Sequence, residues 1–104
     1  MQSTDLVTLR QPDHAFRRAI GIVSGHVGIP IDRVVRPSGR VERRARHHAL
    51  YLASVVADHG CCALARVAGL SPWGVGKALR AVEDSRDDPE IDRKLATLEE
   101  AMTS

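Results

Sequence analysis

The sequence predicts an all-α fold: a compact bundle of five to six helices in a single domain. Three observations predict it. Apolar residues recur at helical spacings along most of the chain, and no stretch shows the alternation of a half-buried strand. Helix start and stop signals punctuate those runs, with Pro at first positions, Ser or Asp before them and Gly after. Only one Trp, one Tyr and one Phe occur, so the core must be built from Ala, Val, Leu and Ile. With 104 residues, 43% of them hydrophobic, the chain can bury one modest core and not two.

Residues 1–12 show little periodicity and are expected to form a flexible N-terminal arm, with the folded domain covering 13–104. Pro12 suits the first turn of a helix whose apolar face is Phe16, Ile20, Val23 and Val27, ending at Gly28. The segment "IPIDRVV" reads as one or two helical turns before the Pro37-Ser38-Gly39 break. A long helix is predicted from Val41 or Glu42 to His59. Its buried stripe is Ala45, His48 or Ala49, Leu52, Val55 and Val56, and Gly60 is its left-handed stop. Cys61–Ala68 is a short helix. A further helix from Ser71 to about Asp84 has Ser71 as N-cap and Pro72 at its first position. Asp88-Pro89 repeats that start signal for a last helix to about Met102, with Ile91, Leu95, Leu98 and Met102 on one side.

Several function classes are excluded at this level. No run approaches the roughly 18 apolar residues of a membrane span, and the N-terminus lacks a basic-then-apolar signal pattern. A cytoplasmic protein is expected, with no membrane partner. Cys61 and Cys62 are adjacent, so on a helix their side chains diverge by about 100° and suit neither a disulfide nor a chelate. No pair of the five histidines has the i, i+4 spacing of a helical zinc site, and no C-x-x-C accompanies them. Neither metal nor cofactor is expected. His59 with Cys61 or Cys62 is a formal base–nucleophile pair without an orienting third group, so an enzyme is not expected.

Charge is divided along the chain. Residues 10–80 hold twelve Lys/Arg against four Asp/Glu, whereas residues 81–104 hold three against eight. A polyanion is drawn to the first part and repelled by the last.

The stretch "CCALARVAGLSPWGVGKALR" has the features of two short helices crossing steeply, a helix-turn-helix. A small residue, Ala65, can sit at the contact and Gly69 supplies the turn. Leu64, Ala68, Leu70, Val75 and Ala78 fall where such a motif hides its side chains. Ser71, Pro72, Trp73, Gly76, Lys77 and Arg80 are left facing outward on the second helix, the one that enters the DNA major groove. Trp73 is read as exposed, contacting a thymine methyl or sugars, against the alternative of a core tryptophan. Upstream, "RPSGRVERRARHH" places Arg36, Arg40, Arg43, Arg44 and Arg46 within eleven residues, opposed only by Glu42. Arg36 and Arg40 are expected in a flexible loop and the others on the first turns of the long helix. Arginine's planar fork grips phosphate oxygens in pairs or enters a narrow minor groove.

This layout resembles the C-terminal DNA-binding domain (domain IV) of the bacterial replication initiator DnaA, over roughly residues 13–102. "IDRVV" stands at that family's short helix, "RRARHHALYLASVV" at its long one and "SPWGVGKA" at its base-reading signature. The resemblance implies that Arg40 or Arg36 enters the minor groove, that Arg44, Arg46 and His47 hold the backbone, and that Ser71, Pro72, Trp73 and Gly74 occupy the reading positions. The family's histidine and threonines are replaced there by Pro, Trp and Gly, so the initiator's usual box is not the expected target. No GxxxxGK[ST] loop accompanies the domain. The chain is therefore similar to the small DnaA-like activators of gene transfer agent clusters. The function expected is a nucleoid-associated, sequence-specific double-stranded DNA-binding transcription regulator, an activator, which meets RNA polymerase or another regulator through its acidic C-terminal part. The alternatives are a helical protein–protein adaptor or a regulator of replication initiation competing at origin DNA.

Overall fold

The computed structural model describes residues 9–104. They form six helices in chain order: α1 (Pro12–Val27), α2 (Ile31–Val35), α3 (Arg40–Val55), α4 (Cys61–Ala68), α5 (Pro72–Ser85) and α6 (Pro89–Met102). No strand occurs among the described residues. The architecture is an all-α bundle. Helix α3 lies at its centre and packs against each of the other five.

The start and stop chemistry works largely as the residue types dictate. Pro12, Pro72 and Pro89 each open a helix, where the missing N–H costs nothing. The Ser71 hydroxyl accepts from Gly74 N at 3.0 Å, and the Asp88 carboxylate accepts from Glu90 N at 2.9 Å. Gly28 (φ 76°) and Gly69 (φ 72°) end α1 and α4 in the left-handed region, where other residues are strained. After Gly69, the Leu70 N–H bonds back to Ala65 O at 2.9 Å and fixes the sharp exit towards α5.

Packing follows the periodicity. Phe16, Ile20 and Val23 are buried on α1 together with Ala15 and Ala19. Leu64, Ala65, Val75 and Ala78 are buried at the α4–α5 crossing, with Ala68 and Leu70 half-buried against the core. Leu95, Leu98 and Met102 seal α6. Each fully buried leucine contributes about 1.5–3 kcal/mol.

The long helix differs from expectation at both ends. It begins at Arg40 and stops at Val55 rather than His59. Asp58, not Gly60, takes the left-handed turn (φ 63°), a conformation Asp tolerates better than most residues. Gly60 is extended and forms the N-cap of α4. Val55 is therefore left exposed, while Ala49 to Ala53 are all buried, a wider burial than one stripe. At the start of α3, Gly39 is the N-cap, and the Glu42 carboxylate reaches back to accept from Ser38 N (2.8 Å) and Ser38 Oγ (3.0 Å).

Residues 1–8 of the expected arm lie outside the described residues. Leu9 is buried in the core, its carbonyl accepting from His59 Nε2 at 2.7 Å, and Pro12 already belongs to α1. The end of the arm is thus docked.

Two arginines close the bundle. Arg18 donates to Met102 O (2.9 Å) and Ala101 O (3.3 Å), capping α6 from α1. Arg86, just after α5, donates to Asp92 Oδ1 (2.6 Å), Glu99 Oε2 (2.7 Å) and Tyr51 Oη (3.1 Å). Those bonds to Asp92 and Glu99 raise its pKa further, so it is charged throughout the working range.

A Cβ on Gly69 meets nothing within 4 Å, so replacing this glycine tests the backbone conformation alone. Gly69→Ala is expected to lower stability by about 1 kcal/mol, and Gly69→Asn by less, in urea unfolding followed by circular dichroism. Equal stability of all three proteins contradicts the left-handed turn.

Candidate nucleic-acid interface

Helix α5 offers one outward face. Trp73, Lys77, Arg80 and Asp84, spaced four, three and four residues apart, are all exposed. Trp73 is 73% exposed, so it belongs to the surface and not the core. Its indole is not bare: Lys77 Nζ sits 4.7 Å from the ring centroid, a cation–π contact contributing about 0.5–1 kcal/mol at an exposed site. Ser71 and Pro72 are exposed just before Trp73. The hydroxyl oxygen of Ser71 accepts the capping bond with one lone pair, which leaves its O–H and the second lone pair for outward contacts. Asp84 is a further member of this face, reached by the same spacing that groups Trp73, Lys77 and Arg80. It places a negative charge at the far end of the face.

The arginine run is only partly gathered. Arg40, Arg43, Arg44 and His47 share one side of α3 and line an open cleft against Ala81 and Ser85 of α5. The cationic side of α3 therefore adjoins the outward face of α5. Arg36 ends α2 and points outside this cleft, and Arg46 lies on another side of α3. Arg40 is the first residue of α3 and not part of a flexible loop, because Gly39 already caps the helix; the loop shrinks to Pro37–Gly39. Two arginines expected together, Arg36 and Arg40, thus stand on separate elements.

No ion pair engages Arg36, Arg40, Arg43, Arg44, Arg46, Lys77 or Arg80 among the described residues. Glu42, the one acid of the run, faces Ser38 and Arg33 instead, with Arg33 Nη1 3.4 Å away. The Ser38 hydrogen bonds hold its pKa below the usual carboxylate range. Partial burial, and then Arg43 nearby, lowers the pKa of Arg46, whose Nε is buried with no hydrogen-bond partner. His47 is also depressed, first by burial and then by Arg46 and Arg43, which keeps it neutral near pH 7.

His48 is the residue that the sequence left as an alternative to Ala49 in the buried stripe. Both are buried. The His48 ring is 4% exposed, and its pKa is pushed down to about 4, mainly by burial and then by Lys94, Arg44 and His47. Its Nδ1 has no partner.

Among the described residues, no group of three or more His, Cys, Asp or Glu stands close enough to hold a metal ion, and no helix is long and apolar enough to cross a membrane. Cys61 and Cys62 are free thiols. Compared with protein-family models, curated proteins and solved structures, the chain matches none of them.

A histidine with a depressed folded pKa binds fewer protons folded than unfolded, so stability falls as pH drops from about 6.5 towards about 4. His48 accounts for a loss on the order of 3 kcal/mol across that window. In paired urea titrations at pH 7 and pH 4, the wild type should lose that much more stability than His48→Leu. Parallel losses contradict a buried neutral ring.

Proposed function

We propose that the protein binds double-stranded DNA sequence-specifically and regulates transcription as an activator. Helix α5 enters the major groove, and the guanidinium groups of α3 and of Arg36 at the end of α2 hold the strands on either side. What supports this most is that Arg40, Arg43, Arg44 and His47 line one cleft beside α5 that contains no carboxylate. Arg18 and Arg86 hold the fold through internal bonds, whereas Arg36, Arg40, Arg43, Arg44 and Arg80 are exposed without a carboxylate among the described residues. Unpaired guanidinium groups beside the exposed face of a helix suit a polyanion with a groove.

The roles follow from position. Trp73, Lys77 and Arg80 meet base edges along the outward face of α5, with Ser71 and Pro72 setting its entry. Arg40, Arg43, Arg44 and His47 lie beside that helix, where a strand passes, and Arg46 supports them from the adjoining side of α3. Arg36 or Arg40 reaches the minor groove. The helix order, with a short helix, a long one opening on arginines, a helix-turn-helix and a last helix, is what kinship with the DnaA C-terminal domain would require. With Pro72-Trp73-Gly74 at the reading positions, the target differs from the initiator's box. The exposed acids of the last two helices and the turn between them suit a protein partner: Glu83, Asp87, Glu90 and Glu100 lie outside the Arg86 network. RNA polymerase or a second regulator would dock there while the protein sits on the nucleoid in the cytoplasm.

The test uses duplexes selected from a randomised library, with random duplex as reference, in fluorescence anisotropy over a salt series. Lys77→Ala and Trp73→Ala should each narrow the preference for selected duplex by about 1–3 kcal/mol. Their effects should be less than additive, because Trp73 carries Lys77. Arg44→Ala should weaken both duplexes alike and reduce the log K against log salt slope by about 1. The absence of salt-dependent duplex affinity overturns the proposal in favour of a protein-binding module.

A further inference from the structure

The cleft between α3 and α5 holds more chemistry than strand contact alone requires. Its walls include Arg40, Arg43, Arg44, His47 and His48 from α3 and Ser85 from α5, with Ile91 of α6 closing one end, and none of its lining residues is a carboxylate. The Ser85 hydroxyl is committed, donating to Val82 O at 2.6 Å, which leaves the basic side chains as the free donors. Arg40 is the first residue of α3, where positive charge opposes the helix macrodipole and an anion would relieve it.

His48 adds a separate observation. A buried side-chain nitrogen without a partner is uncommon, because leaving it unbonded costs stability. The His48 ring borders this cleft and a second one, and the groups facing it are Arg44 and His47 on its own helix, Lys94 from α6 and His26 from α1. Every one of them is cationic or neutral. With its proton on Nδ1, the neutral His48 ring has a free donor for an anion seated in the cleft.

We propose that the α3–α5 cleft is a seat for one phosphate-type oxyanion, gripped by Arg40, Arg43 and Arg44 with the His47 and His48 imidazoles as further donors. The seat stands on the cleft itself and not on the DNA reading: its occupant is a strand phosphate or a free phosphate, and the chemistry of recognition is the same. Seating the anion gives the two imidazoles a negative neighbour, which opposes the depression of their pKa values.

Inorganic phosphate titrated into the full chain near pH 6.5, with sodium chloride at matched ionic strength as control, tests this by imidazole-ring NMR. Saturable shifts of the His47 and His48 signals are expected, with affinity weakened about tenfold or more in Arg44→Ala and in Arg40→Ala/Arg43→Ala. Both variants alter exposed side chains, and an unchanged thermal midpoint verifies their fold. Shifts that only track ionic strength, or that saturate at the same concentration in the variants, overturn the seat. Duplex DNA added to the phosphate-loaded protein then separates the sources. Displacement of phosphate assigns the seat to a strand phosphate, and duplex binding with phosphate retained assigns it to a free one. Phosphate binding without any duplex affinity leaves the seat standing and removes the DNA reading instead.

Discussion

The constraint on which this structure depends is that one helix must be two things along its length. From Ala49 to Ala53, α3 is buried on all sides and every other helix leans on it. Its first two turns carry Arg40, Arg43, Arg44 and Arg46, charges that cannot enter an apolar interior without a partner. The buried half anchors the cationic half. Mutual repulsion between arginines, and their unfavourable place at a helix N-terminus, cost far less than the burial of Leu50, Leu52 and their neighbours contributes. Rigid support from below lets unpaired guanidinium groups stand side by side at the surface. Glu42 helps by bonding back to Ser38, which secures the helix start without neutralising the arginines that follow.

Arginine serves two separate purposes in this chain. Arg86 draws together Asp92, Glu99 and Tyr51, joining the end of α5 to α6 and α3. Arg18 performs the equivalent task at the far end of α6. Both satisfy carboxylates or carbonyls that would otherwise be left over, and so part of the acidic C-terminal charge is internal cement. The arginines around α3 have no such duty. A cationic cleft between α3 and α5 results, lined by Arg40, Arg43, Arg44 and His47, with no carboxylate in its walls.

The α4–α5 pair shows how a turn sets a surface. Gly69 has no neighbour near its missing Cβ, so its role is wholly conformational: the left-handed backbone turns the chain through a steep angle. That angle buries Leu64, Ala65, Val75 and Ala78 and turns Trp73, Lys77 and Arg80 outward. An exposed tryptophan is unfavourable in water, and the Lys77 ammonium over its face compensates in part. The pair acts as one unit, apolar and cationic together.

Helix positions were legible in the residues because they are local matters. Pro12, Pro72, Pro89, Gly28 and Gly69 act within a turn of where they stand, and the 3.6-residue period needs no distant information. Helix α3 ends earlier than its residues predict because Asp58 takes the left-handed conformation to which Gly60 is better suited, while Gly60 serves as the N-cap of α4. Of the candidate interface, the outward positions of Trp73, Lys77 and Arg80 are legible from spacing, which reaches Asp84 as well, whereas Gly76, expected outward, is half-buried beside Cys61 of α4. Residue spacing alone did not show that Arg40, Arg43, Arg44 and His47 share a cleft with Ser85 while Arg36 and Arg46 do not. Nor did it separate Arg86 and Arg18 from the unpaired arginines. Composition and periodicity set which residues carry charge and which are apolar. Which charges find partners is settled by contacts such as Arg18 with Met102, 84 positions apart, because ion pairing and desolvation depend on distance in space, and only the packed bundle defines that distance.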